Sequence, residues 1–352
     1  MTGETSVATP EVLTLEEAAP KAAWQTYREA GVPELLGSLQ LSYVLQACAE
    51  VGLAERLRDG VSTEAELAEG LDEHLTRHTL RYLAIKRVVD RDGDAYRLTE
   101  QGRKLLSEVS LAQIGFYVEA YGPVMERIPE LLTGEQRYGR DVVRDGAALG
   151  RHSAAMFHTF HAPTVQRMLE HVDATCVLDV GCGAGPLLVA ACRSNPDLKG
   201  VGLDIDPEPI ATARAVAERE GLAGRLAFVV ADAFRLETWP EICYEADTIC
   251  AVGVLHEHFR DGEQAVVDLL NLYAGLLRQG MKRLILGEPE LRYDDQDDDS
   301  GFYLAHIFTA QGFPRSREGW LELFERTELR CRTILRRPEA GQRLVFYELV
   351  PR

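Results

Sequence analysis

The chain has 352 residues, 46% of them apolar, enough for two domains with a buried core each. Its formal charge of −18 and pI near 5.0 oppose long-range attraction to nucleic acid or an anionic membrane and favour small-molecule chemistry. Seven cysteines without a CxxC pair read as the reduced thiols of a cytoplasmic protein, and the sequence offers neither a secretion signal nor eighteen consecutive apolar residues.

Residues 1–20 read as a flexible tail. From 21 to 110 the pattern is helix, helix, helix and hairpin. Ser62 and Thr63 are candidate caps; Leu75, His78, Leu80, Leu83 and Val88 recur at roughly helical spacing; Asp92-Gly93 offers a tight turn between short strands. This is a winged-helix pattern, and Arg77, Arg81, Lys86 and Arg87 on the presumptive recognition helix keep a DNA-binding regulator open as an alternative. Against it, residues 1–108 hold 12 Lys and Arg and 19 Asp and Glu, a balance of −7, so no basic footprint surrounds that helix. The stretch from Leu35 to Leu57 is apolar around much of its circumference. That predicts packing against a second subunit, hence a homodimer, or else against the chain's own second domain.

Residues 111–165 read as connecting helices that wall a substrate pocket. Arg127, Arg137 and Arg140 are candidates to meet a substrate carboxylate, with Tyr117 and Tyr121 as walls. Phe157, Phe160 and His161 are similarly situated.

Residues 166–352 carry the cofactor signal. A short apolar strand from Cys176 runs through Asp179 into Gly181, Gly183 and Gly185, and the next strand ends at Asp204, where a carboxylate can accept hydrogen bonds from ribose hydroxyls. A dinucleotide site wants a third glycine where this chain has Pro186, which lacks an amide hydrogen. S-adenosylmethionine has no phosphate to bind and needs acidic partners instead. Asp179, Asp204 and Asp232, with Ala233 beside it, follow three successive strands.

"VLDVGCGAG", "GLDID" and "VVADAF" resemble the first motifs of class I S-adenosylmethionine-dependent methyltransferases. With the winged amino-terminal half, the chain from about residue 30 to 350 is similar to the two-domain O-methyltransferases. The resemblance implies an α/β fold: a Rossmann-like, seven-stranded, mostly parallel sheet with a reversed terminal hairpin, here "LRCRTILRR" and "RLVFYELV". It also implies a mainly helical dimerisation domain.

In those relatives a histidine after the fourth strand deprotonates the acceptor hydroxyl, and "VLHEHF" supplies His256 there. The chain departs from the pattern with Glu257 in place of Asp and His258 in place of Trp. His306 follows fifty positions later (306 − 256), on a helix that in this fold covers the pocket; a satisfied core histidine is the plainer reading. The arrangement is similar to metal-dependent 2-oxo acid C-methyltransferases of peptide-antibiotic pathways. That resemblance implies one iron or zinc ion held by His256 and His306 and chelated by the acid through its carboxylate and keto oxygen. Glu257 then orients His306 or a bound water, takes the β-proton, or is only a solvated carboxylate. His161 is a weaker third ligand candidate, His258 reads as structural, and the run Asp294–Asp299 lacks calcium-loop spacing. Three outcomes stay open: C-methylation of a 2-oxo acid, metal-free O-methylation through His256, and a regulator that senses the cofactor.

Overall fold

The computed structural model describes residues 12–290, 300–314, 316–337 and 344–352. The runs 1–11, which holds most of the expected tail, and 294–299 lie outside the described residues; the chain is helical from Ala18.

In the amino-terminal half, helices Ala18–Glu29, Val32–Glu50, Leu53–Arg58 and Glu73–Ile85 accompany a small antiparallel sheet. Its strands are β1 (Ser62–Thr63), β2 (Val89–Asp92) and β3 (Ala95–Leu98), in the order β1-β3-β2. Thr63, rather than Ser62, is the cap: its hydroxyl accepts from Glu66 N–H, and its own N–H donates to the Glu66 carboxylate at 2.7 Å. The β2–β3 turn opens at Gly93, whose φ of 62° suits a two-residue hairpin. On Glu73–Ile85 the buried residues are Thr76, Leu80 and Leu83, whereas Leu75 and His78 are exposed. The expected face is corrected here because a stripe at i, i+4, i+7 from Thr76 leaves Leu75 about 100° off its centre.

Helices Glu108–Gly115, Gly146–Met156 and Ala162–His171 link the halves. Two stretches wind more widely, as π-type turns, at Phe116–Ala120 and Phe157–His161. Each inserts a residue into the helical register and so turns the following side chains, a device common beside functional sites. Helix Ser300–Phe308 closes over them, with Ala305 buried among Phe116, Tyr121 and Met156.

The main sheet comprises β4 (Cys176–Val180), β5 (Lys199–Asp204), β6 (Leu226–Val230), β7 (Thr248–Val252), β8 (Arg283–Pro289), β9 (Leu329–Leu335) and β10 (Leu344–Pro351). Their order is β6-β5-β4-β7-β8-β10-β9, parallel from β4 to β8, with β10 antiparallel to β8 and β9. This is the seven-stranded sheet with the reversed hairpin expected from the sequence. Alternate residues feed opposite cores: Leu178, Leu203, Ile249 and Leu284 on one face, Val177, Cys250, Ile285 and Phe346 on the other. Helices cover both faces, which is why these strands read as continuous apolar runs. All seven cysteines are free thiols, and among the described residues no helix is long and apolar enough to cross a membrane.

Candidate active site

A cavity of about 740 Å³ opens over the carboxyl ends of β4 to β7. The chain leaves β4 and β7 toward opposite sides of the sheet, and the crevice so formed is where open α/β sheets bind ligands.

One half of the cavity is built by the glycine loop. Gly181, Gly183 and Gly185 have φ of 72°, 52° and 76°, and a Cβ on Gly185 would lie 2.6 Å from the Phe228 ring, so a side chain there would be both strained and crowded. Gly181 and Cys182 N–H donate to the Leu203 carbonyl at 2.8 and 2.9 Å, and Gly183 N–H donates to Asp204 Oδ2 at 2.9 Å. The loop is thereby tied to β5, and Asp204 is held at its mouth. Asp232 Oδ1 accepts from Phe234 N–H at 2.9 Å, which shapes the turn that brings Asp232 and Ala233 to the cavity wall. Asp179 is buried beneath the loop; burial, and after it the Asp204 charge, push its carboxyl up to about 8.

The other half holds the two imidazoles, whose ring centroids are 5.2 Å apart. Glu288, fully buried at the end of β8, accepts from Leu255 N–H at 2.8 Å through Oε1 and from His256 Nδ1 at 2.8 Å through Oε2. A carboxylate only accepts, so Nδ1 carries a proton and His256 Nε2 is the nitrogen left for another partner. His306 Nδ1 donates to the Phe302 carbonyl at 2.6 Å, which likewise frees Nε2. Burial, then the neighbouring His256, lower the His306 pKa to about 3, so this imidazole is neutral at pH 7. Both rings have the outer-side acceptor that fixes metal-ligating histidines, and two imidazoles sharing an ion at ~2.1 Å have centroids about 5 Å apart. Among the described residues no third His, Cys, Asp or Glu joins them as a metal-binding group. Two imidazoles alone could hold an ion only if substrate oxygens or water completed its coordination.

Glu257 lies between two guanidiniums, 2.9 Å from Arg144 and also paired with Arg260, with its Oε1 3.6 Å from His256 Nε2. Burial raises its carboxyl, but Arg144, His256 and Arg260 outweigh that and lower it to about 2. So weak a base is unsuited to taking a carbon-bound proton.

The "Methyltransferase domain" family matches residues 171–284. Over 304 residues the chain is 30% identical to a 2-ketoarginine methyltransferase of Streptomyces arginensis, covering 81% of this chain and 83% of that protein. The chain belongs to the class I S-adenosylmethionine-dependent methyltransferases. Solved structures agree in fold. The mitomycin 7-O-methyltransferase MmcR superimposes with a TM-score of 0.72 at 23% identity, covering 94% of this methyltransferase and all (100%) of that chain. The calicheamicin-biosynthesis methyltransferase CalO1, in its S-adenosylhomocysteine-bound form, does so with 0.64 at 25%, covering 96% and 100%.

The cavity of the methyltransferase gathers Asp179, Gly181, Gly183, Asp204, Asp232, Ala233, Tyr121, Phe157, His161, His256, Glu257 and His306. Gly185 shapes the loop from behind the wall, against Phe228. Arg127 and Tyr117 are not among the lining residues: Arg127 is exposed and pairs with Glu130, and the Tyr117 ring packs on Phe116. Arg137 and Arg140 are absent from the lining too, Arg140 being paired with neighbouring Asp141. The guanidiniums that do reach the cavity are those of Arg144 and Arg260, and Arg144 also donates to Tyr121 Oη at 3.3 Å. Arg144 lies two residues before the helix Gly146–Met156, which Asp145 caps. Glu288 was missed as well, although a carboxylate inside "RLILGEP" demands a buried partner. His258 stacks on Phe234 at 4.4 Å, in keeping with a structural role.

Cofactor binding offers a test of Asp179. In the free protein at pH 7 its carboxyl is mostly protonated, and a cationic cofactor favours the ionised form. Binding of S-adenosylmethionine is therefore expected to release a proton at pH 7 and to strengthen as pH rises through about 8. Calorimetry in two buffers of different ionisation heat measures this; equal heats would show that no proton is released, and a difference that persists in Asp179→Asn would show that another group releases it.

Proposed function

We propose that this methyltransferase transfers the methyl group to the β-carbon of a 2-oxo acid. The observation that carries the reading is the His256–His306 pair, 5.2 Å apart with both Nδ1 atoms committed elsewhere. The relative from Streptomyces arginensis is named for a 2-oxo acid substrate, which favours the same chemistry.

His256 and His306 would hold the iron or zinc ion. When bound, the ion supplies a Lewis acid at the keto oxygen, where charge accumulates as the β-proton is lost. The remaining work belongs to the chain. Arg144 and Arg260 set two positive charges against the single carboxylate of Glu257, so this wall retains one charge for the substrate carboxylate. Glu257 fixes the Arg144 side chain. Glu288 fixes the His256 ring, and the Phe302 carbonyl fixes His306. The glycine loop and Asp204 hold the donor so that the β-carbon forms its new bond to the methyl carbon as the S–CH₃ electrons pass to sulfur, with the β-proton delivered to solvent.

Metal-free O-methylation is the second reading, favoured by the Glu288–His256 hydrogen bond, which leaves Nε2 ready to accept a hydroxyl proton. Incubation with labelled S-adenosylmethionine and a panel of 2-oxo acids and phenols, with and without chelator, separates the two. Turnover of oxo acids that chelator abolishes is expected; turnover of phenols alone, indifferent to chelator, would reject the first reading.

The amino-terminal domain is read as a winged-helix dimerisation unit. Leu35, Leu36, Leu39 and Tyr43 form an exposed apolar band on the helix Val32–Glu50. Sedimentation is expected to give a dimer that Leu39→Glu dissociates, and a monomeric parent protein would contradict this.

A further inference from the structure

We infer that Arg260 is a positioning residue for methyl transfer: its guanidinium fixes the register between the helix that carries His306 and the turn that carries His256. This rests on the reading above, in which both imidazoles serve the reaction, and names what sets their spacing. The two rings arrive on separate elements, the short helix Leu255–His258 after β7 and the helix Ser300–Phe308. Their contact at 5.2 Å is one rung between those elements. Arg260 makes a second. It stands four residues after His256, on the tight turn Phe259–Asp261 that continues the short helix, so the two side chains leave the same face. Its Nε donates at 2.9 Å to the carbonyl of Thr309, three residues after His306. The rungs are thus about one helical turn apart on each element. A helix held at one point can pivot about it, whereas two points a turn apart fix both its rotation and its slide.

The guanidinium is itself held from two further sides. Its Nη1 pairs with Glu257 Oε2, the residue next to His256, while Glu257 Oε1 is 2.9 Å from Arg144. Its carbon lies 5.0 Å from the centre of the Tyr138 ring, which belongs to the segment connecting the two halves. A planar fork can serve a carbonyl, a carboxylate and a ring face at once; a compact ammonium cannot. A cation also suits the place, because the carbonyls at the carboxyl end of the helix Ser300–Phe308 carry partial negative charge. Apolar packing holds the same helix down: Phe313 lies 5.6 Å from the His256 ring and 5.5 Å from that of His306. Such packing is non-directional, so the register falls to the hydrogen bond.

The test uses the full chain, with S-adenosylhomocysteine bound for hydrogen exchange and with S-adenosylmethionine and a 2-oxo acid for turnover. Arg260→Gln is expected to speed exchange across residues 301–309 at least about tenfold, while strands β4 to β7 exchange as in the parent protein and so report an intact fold. Its kcat is expected to fall at least about tenfold, with the KM for S-adenosylmethionine within about twofold of the parent value. Guanidinium chloride at millimolar concentration is expected to restore the turnover of Arg260→Ala by at least about fivefold, and ammonium chloride at the same concentration is not. Arg260→Lys, which keeps the charge without the fork, is expected to remain at least about fivefold below the parent. Unchanged exchange at 301–309 would overturn the inference, as would an undiminished kcat in Arg260→Gln or full activity in Arg260→Lys. Phenol-only turnover by the parent protein, indifferent to chelator, would reject the two-histidine reading before any variant is made, and this inference with it.

Discussion

His306→Ala is expected to lose methylation of 2-oxo acids by on the order of a thousandfold, about 4 kcal/mol of barrier, while binding S-adenosylhomocysteine as the parent protein does. The reason is spatial. His306 arrives on the helix Ser300–Phe308, away from the strand ends that build the cofactor half, so its removal takes one of two imidazoles and leaves the glycine loop untouched. Elemental analysis should show metal lost in parallel with activity. Because the ring is buried, His306→Gln serves as a control of similar volume, and thermal melting reports whether either variant is merely unfolded. Chelator-resistant turnover of oxo acids by His306→Ala would sink the two-histidine reading. A protein that still methylates phenols without His306, but not without His256, would be the metal-free enzyme.

Glu288→Gln is expected to lower activity 10- to 100-fold, roughly the cost of removing the outer partner of a functional histidine. The carboxylate accepts from Leu255 N–H at 2.8 Å, Val254 N–H at 3.3 Å and His256 Nδ1–H at 2.8 Å. An amide has one oxygen where the carboxylate has two, so its NH₂ must face one of these donors, destabilising the fold by about 1–3 kcal/mol. Loss of stability alone would be a structural effect. The positioning role predicts in addition that nitrogen NMR of His256 no longer shows the Nδ1–H form as the dominant tautomer. An unchanged tautomer together with an undiminished rate would show that the ring is oriented by other contacts.

The cofactor half was legible because its chemistry is local: strand, positive-φ glycines and strand-end aspartates are adjacent in sequence, and parallel strands bring Asp179, Asp204 and Asp232 to one edge. The acceptor half was read less completely. His256 and His306 were identified, but the choice of arginine fell on Arg127, Arg137 and Arg140, and it is Arg144 that turns inward. A long side chain in the loop before a connecting helix has no periodicity that reveals its direction; its partner Glu257, more than a hundred residues later, decides it. Leu75 shows the same limit in the amino-terminal half, where an apolar residue one position off the buried stripe faces water.

By itself the sequence determined the α/β sheet, the donor loop and the presence of two histidines near its mouth, since these follow from short-range patterns of glycine, apolar runs and strand-end acids. Only the tertiary structure decided which nitrogens of those histidines are engaged, which guanidiniums Glu257 engages, and that the wall beside His306 is aromatic. Each of these depends on side chains from separate helices packing and exchanging hydrogen bonds, where the winning contact is set by burial and distance in space.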